Sequence, residues 1–277
     1  MLTRRDWWRA LAGLLVLGCS RELPAGRALT TTTRAQRDAV PPSSSSGGAA
    51  PSVTRSSGVA VVELFTSEGC SSCPPADRVL ASLLARAKAE SRPVFPLSFH
   101  VDYWNDLGWR DRYSRASYSE RQRNYGSISA QGGSYTPQAV INGEAECVGS
   151  DSSRLDALIE AALQRAARAQ IALEARRGEQ GIEVSYRVSG ETRGRVLNLA
   201  VVEPRAESQV ERGENAGEHL AHVNVVRGFS TRSLSESNAG TWSWAPDPES
   251  RARPLGVIAY VQGTAQGVIS GATTLQL

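Results

Sequence analysis

The chain has little cysteine, little surplus charge and no long apolar run. Four cysteines in 277 residues make no disulfide framework for a chain this long. Stability must come from buried apolar surface, and 40% hydrophobic residues supply ample material. The formal net charge is +3, of which Arg4, Arg5 and Arg9 against Asp6 account for two, leaving about +1 for the remainder. A near-neutral body lacks the basic face that nucleic-acid binding requires. Lys88 is the only lysine, a preference for arginine that carries no functional reading. No apolar stretch reaches the roughly 20 residues that cross a bilayer, and no internal repeat is present. The length suits one or two domains of roughly 100–200 residues each.

What is present begins at the N-terminus. Arg4 and Arg5 precede an apolar stretch from Ala10 to Leu17, the layout of an export signal. It ends in "VLGC", Val16 to Cys19, which resembles a lipobox, so Cys19 is expected to carry lipid. Ser20 after that cysteine, in place of Asp, resembles the pattern sorted to an outer membrane. "TRRDWW" loosely resembles a twin-arginine signal; the plainer reading is an ordinary cleaved signal with an incidental Cys19. Residues 20–57, with "PPSSSSGGAAPS", bury too little to offset the entropy of ordering and read as a flexible tether. The expectation is an exported lipoprotein of the cell envelope, at the outer membrane and facing the periplasm, held to the membrane through Cys19. Cys70, Cys73 and Cys147 then lie in an oxidising compartment.

Order begins at Gly58. "VAVVELF" reads as a buried strand and is followed by the CxxC of Cys70 and Cys73. A helix then runs from Pro74, with Val79, Leu80, Leu83 and Leu84 at helical spacing and prolines where a missing N–H costs nothing. "PVFPLSFHV" is a second strand. Residues 102–134 read as a helical insertion, with Ser117 and Glu120 at capping-box spacing. "TPQAVING" and "EAECVG" read as strands joined by a turn at Asn142-Gly143. Residues 152–169 form an amphipathic helix. From Gln170 onward, six or seven short alternating segments between Gly-rich turns predict an all-β sandwich. The expected division is an α/β domain over 58–169 and a β-sandwich over 170–277.

A CxxC alone is a redox couple, a metal clip or a structural staple. The order strand, CxxC, helix, strand, insertion, strand hairpin, helix resembles the thioredoxin fold. "VVELFTSEGCSSCPPAD", "SFHVDYWNDLGW", "YTPQAVING", "VGSD", "RGENAG" and "HVNVVR" together resemble the DUF1223 family, exported thioredoxin-like proteins of undetermined function. The resemblance covers roughly residues 58–277. It implies a fold and a candidate active site, not a substrate; the CxxC in this context is expected to serve a thiol–disulfide oxidoreductase acting on exported protein thiols or disulfides, with no cofactor.

Within that site Cys70 is the expected nucleophile and Cys73 the resolving thiol, since exchange needs a thiolate with a second thiol in reach. A residue before proline is pushed away from helical geometry, so the helix is expected to begin only at Pro74 or Pro75. With no cation in Ser71-Ser72 and a negative Glu68, the couple is expected to be reducing rather than strongly oxidising. By resemblance, Pro137 is a cis-proline facing the CxxC, with Thr136 offering backbone groups to substrate; an ordinary trans bond is the alternative. Glu63 interrupts an apolar strand and is either a buried acid that takes the Cys73 proton or a solvent-facing side chain. His100 and Asp102 close the second strand, as groups that orient a partner or move a proton. Tyr103, Trp104 and Trp109 offer an apolar wall, unless they pack in the core. His219 and His222 fall on opposite faces of a strand, so one metal ion does not take both. Cys147 reads as a small buried hydrophobe. Two other functions stay open: soft-metal handling by Cys70, Cys73 and His100, and a non-catalytic binding module in which the "RGENAGEHL" loop lies against the first half.

Overall fold

The computed structural model describes residues 58–129 and 132–277; the export signal, Cys19 and the tether lie outside the described residues. β1 (Ala60–Thr66) and β2 (Val94–His100) pair in parallel around the crossover helix α1 (Pro74–Ala89). Leu80, Leu83 and Ala87 of α1 recur at helical spacing and bury against Val62 and Leu64 of β1. The insertion contains α2 (Ala116–Arg123). The expected capping box does not form there. Ala116 is already helical after an extended Arg115, so Ser117 sits inside the first turn instead of before it. β3 (Gln138–Ile141) and β4 (Ala145–Val148) form the hairpin signalled by Asn142-Gly143. Both turn residues have left-handed φ, 49° and 69°, which Asn and Gly tolerate best. α3 (Ser152–Leu163) follows, its N-cap Asp151 accepting from the Arg154 N–H at 3.0 Å.

The second half supplies seven strands: β5 (Ala169–Gly178), β6 (Gly181–Gly190), β7 (Arg195–Gln209), β8 (His219–Ser233), β9 (Ala239–Trp244), β10 (Gly256–Gly263) and β11 (Ile269–Gln276). They do not close into a sandwich of their own. Four of them join the first half in one eight-stranded mixed sheet, in the order β11-β10-β7-β8-β2-β1-β3-β4. β8 lies beside β2, where Ser98 pairs with Val225 in parallel. This covers the edge that β2 would otherwise leave with unpaired backbone groups. β5, β6 and β9 form a separate three-stranded sheet. It stacks on Leu197, Leu199 and Val201 of β7 and on Val257, Ala259 and Val261 of β10. Two layers do face each other as in a sandwich, but one of them is shared with the first half.

The large sheet is therefore covered on both faces. Val62 and Leu64 of β1 point to α1 and α3. Val61 and Phe65 point the other way, into a core with Tyr118, Tyr125, Ile258 and Tyr260. This alternation decides where Glu63 goes. Among the described residues, no helix is long and apolar enough to cross a membrane.

Candidate functional site

β1 and β2 end side by side, Thr66 paired with His100, and the chain leaving β1 carries the CxxC across that end. Cys70 and Cys73 are joined in a disulfide, their Cα atoms 5.4 Å apart. The Cys73 N–H donates to the Cys70 carbonyl at 3.1 Å, and the Cys73 carbonyl accepts from Ala76 and Asp77 at 2.9 and 3.1 Å. Cys73 is helical (φ −81°, ψ −37°) although proline follows it; these two bonds from the first turn offset the crowding. α1 itself starts at Pro74, as the sequence predicts. Pro74 and Pro75 bring no amide hydrogens, so this helix start offers few donors to an anion at Cys70.

Two loops close over the disulfide. The Thr136–Pro137 bond is cis. The Thr136 hydroxyl donates to Cys70 Sγ at 3.3 Å and accepts from the Trp104 indole N–H at 2.8 Å. The Ser72 hydroxyl lies 3.3 Å from Cys70 Sγ and donates to the Thr136 carbonyl at 3.5 Å. Behind them, Gly149 donates its N–H to the Pro137 carbonyl at 2.8 Å. A Cβ at Gly149 would stand 2.6 Å from Leu64 and 3.1 Å from Ala76, so only glycine lets that loop pack so closely. The second loop is the one marked by "RGENAGEHL". Asn215 Nδ2 donates to the carbonyls of Glu68 and Cys70 at 2.8 and 3.0 Å, and the Glu214 carboxylate accepts from the Ser71 N–H at 3.1 Å. The two loops correct one expectation. The sequence reading needs an exposed Cys70, whereas both cysteines are fully buried and Ser71 and Ser72 between them are exposed.

The segments flanking the CxxC also carry a buried ionic cluster. His222 of β8 stands between two carboxylates, its Nε2 3.5 Å from Glu68 Oε1 and its Nδ1 3.5 Å from Asp77 Oδ2. The His100 ring packs edge-on to it with centroids 4.7 Å apart, and His100 Nδ1 lies 2.7 Å from Asp111 Oδ2. The Trp109 indole N–H donates to Glu68 Oε2 at 2.8 Å, and the Glu68 N–H donates to Asp111 Oδ2 at 2.9 Å. Burial alone would lower the His222 pKa, but Asp77 and Glu68 override it and hold it up to about 10. Burial pushes Glu68 up, and contact with His222 together with the Trp109 hydrogen bond brings it net below the usual range. Asp111 is likewise pushed up by burial and brought net low by His100 and by the Glu68 and Tyr113 amides.

Three sequence-predicted site residues are placed away from the sulfurs. Glu63 is buried, but on the sheet face opposite α1, where Arg121 donates to it at 2.9 and 3.1 Å and Tyr260 at 2.5 Å, with Tyr125 also in contact. It is neither solvent-facing nor close enough to take a proton from Cys73. His100 has no exposed surface and cannot touch a substrate; its partner is Asp111, which leaves the soft-metal alternative without its third ligand. Asp102 accepts from the Ser119 hydroxyl of α2 at 2.5 Å and belongs to the insertion. Pro137, Thr136 and Trp104 do meet the disulfide. The aromatic wall is divided: Tyr103 is 42% exposed, Trp104 bonds Thr136, and Trp109 bonds Glu68. His219 is exposed beside Glu207 while His222 is buried, opposite faces as the spacing requires. Cys147 is buried, and burial pushes its thiol up to about 11. Among the described residues, no three His, Cys, Asp or Glu side chains are arranged to hold one metal ion. Glu68, Asp77, Asp111 and Asn215 were not singled out from the sequence as site residues.

The fold is similar to that of a crystallised protein from Agrobacterium tumefaciens, with TM-score 0.54 and 26% identity over 79% of this chain and 94% of that one. HBP35 of Porphyromonas gingivalis shares the fold with TM-score 0.56 and 15% identity, over 80% of this chain and 76% of that one. No curated protein matches the sequence. Residues 61–262 match the family described as protein of unknown function DUF1223, and the chain belongs to that family.

Proposed function

We propose that this chain is a thiol–disulfide oxidoreductase of the cell envelope, with a thioredoxin-like first half and Cys70–Cys73 as its couple. One observation carries the reading. The disulfide at the head of α1 faces a cis-proline loop whose Thr136 hydroxyl donates to Cys70 Sγ at 3.3 Å. A buried structural staple has no need of a polar contact on one sulfur. The exposed Ser71-Ser72 edge is the approach for an incoming thiolate, which reaches Cys70 once the Ser72 hydroxyl rotates aside. Few amide donors at the helix start, and no cation against Cys70, favour a weakly stabilised thiolate and a reducing couple. Exported protein thiols or disulfides are the partners, and the lipobox-like Cys19 is the anchor that holds the site at the outer membrane. The test is reduction of insulin and of model peptide disulfides by the purified chain with dithiothreitol as electron source. Cys70→Ser is expected to abolish it. Equal inertness of wild type and variant towards several disulfides would remove the reading.

A further inference from the structure

We propose that Asp77 and His222 together form the proton donor and acceptor for Cys73, an inference that rests on the redox reading above. Asp77 is four residues after Cys73 on α1, and residues four apart share a helix face. Helical side chains lean towards the N-terminus, and Asp77 donates its N–H to the Cys73 carbonyl at 3.1 Å. One of its oxygens faces His222 at 3.5 Å; the other, Oδ1, is buried with no hydrogen-bond partner. Both His222 nitrogens face carboxylate oxygens at 3.5 Å, ion-pair contacts that fall short of well-formed hydrogen bonds. Leaving buried polar atoms of one cluster poorly paired is costly for a group that serves the fold alone. An exchangeable proton accounts for the loose His222 contacts and for the open Asp77 Oδ1.

The groups that face the pair come from every element around it: Glu68 from the loop after β1, Thr66 from β1, His100 from β2, and Tyr113 from the insertion, with its ring centroid 6.1 Å from that of His222. Among the described residues only Glu68 and Asp77 bring negative charge within ion-pair distance of His222, and they keep it protonated. The redox step then balances. A partner thiolate attacks Cys70 Sγ, the Cys70–Cys73 bond breaks, and Cys73 leaves as a thiolate in a site without solvent. A proton from the Asp77–His222 pair converts it to the thiol. The partner's second thiolate then attacks its own sulfur in the mixed disulfide and releases Cys70, so the partner loses two electrons and the couple gains them. In reverse, the pair takes the Cys73 proton as Cys73 resolves the mixed disulfide.

The reverse step is the one to measure, on the full chain and with small thiols so that no protein partner is involved. The reduced protein is mixed with oxidised glutathione, quenched with acid, and the Cys70–glutathione adduct is followed by mass spectrometry from pH 6 to 10. In the wild type, resolution is expected to be nearly flat from pH 7 to 9. In Asp77→Asn it is expected to slow by roughly 10²-fold at pH 7, the low end of general-base effects, and to recover tenfold per pH unit above. His222→Gln is expected to move the same way, and D77E to restore part of the rate. A merely structural cluster would lower the melting temperature without changing the pH slope. Resolution in the variants that keeps the wild-type rate and slope overturns the proposal, as does a wild-type rate already rising tenfold per pH unit, which needs no variant to fold. A disulfide that glutathione and dithiothreitol cannot cycle at all fails the redox reading itself.

Discussion

Arg121→Ala is the sharpest test of the assignment of Glu63 to the fold instead of the chemistry. Glu63 and Arg121 are almost wholly buried, 1% and 7% exposed. The guanidinium also donates to the Tyr125 and Tyr260 hydroxyls and to Gln262 at 2.9, 3.0 and 3.1 Å, and lies over the Phe229 ring at 4.8 Å. Burial opposes the charge on Arg121, and Glu63 with the two phenols overrides it and raises its pKa. Removing the cation leaves a carboxylate in a closed pocket whose only remaining donors are the two phenols. Breaking a buried pair in this way costs about 3–5 kcal/mol. For a folded part of this size, 1 kcal/mol moves the melting temperature by roughly 2–4 °C, so Arg121→Ala should melt about 6–20 °C lower by calorimetry. Replacing both partners, as in E63L/R121M, removes the orphaned charge and should recover most of that loss, because apolar replacement of a whole buried pair is often neutral. Thiol exchange at Cys70–Cys73 in the double variant should remain at wild-type rate well below its melting point. Near-normal stability of Arg121→Ala, or lost exchange in a stable double variant, would refute the assignment.

The pH dependence of stability follows from His222, whose pKa rises from its ordinary value near 6.5 to about 10 on folding. The folded state holds that proton more tightly, so its contribution is complete below pH 6.5 and is lost as pH rises through 10. Burial of Cys147 acts in the same direction, its thiol being held up to about 11. Melting curves of a Cys147→Ala chain between pH 6.5 and 10 should therefore still fall, and those of a chain also carrying His222→Gln should flatten; a slope unchanged by His222→Gln counts against the ion cluster. Asn215→Ala should cost roughly 1–3 kcal/mol, because the Glu68 and Cys70 carbonyls lose their donor in a buried place. It should also speed dithiothreitol reduction of the disulfide, as the loop no longer holds that segment down; an unchanged rate would show that the loop does not gate the sulfurs.

What the sequence made legible was local. The apolar runs at Ala60–Thr66 and Val94–His100, the prolines at the start of α1 and the turn at Asn142-Gly143 each follow from residues within a few positions of one another, whereas the cis bond at Pro137 followed only from the family resemblance. The joining of both halves in one sheet was not legible, because strand periodicity tells which side chains point inward but not which sheet a strand joins. Glu63 shows the same limit. Alternation puts it on the face opposite Val62 and Leu64, and only the positions of α1 and Arg121 decide which of those faces meets the cysteines. His222 was half legible, since it alternates with buried Leu220 and so had to point inward. Its partners did not follow from that: Glu68 lies 154 positions away and Asp77 lies 145 away, and both arrive through the docking of β8 on β2.

That docking ties the chemistry of the first half to the strands of the second. The CxxC and the proline loop lie within residues 66–149, yet the carbonyl clamp comes from Asn215 and the buried cation from His222. Without β8, Glu68 would face Asp111 with no His222 beside it, and a like charge that close drives a carboxylate's pKa upward. β8 both covers the edge of β2 and delivers the positive charge that brings Glu68 below its ordinary range in a buried place. The second half is therefore part of the site's electrostatics, which accounts for a mixed sheet that runs unbroken through both halves of the chain.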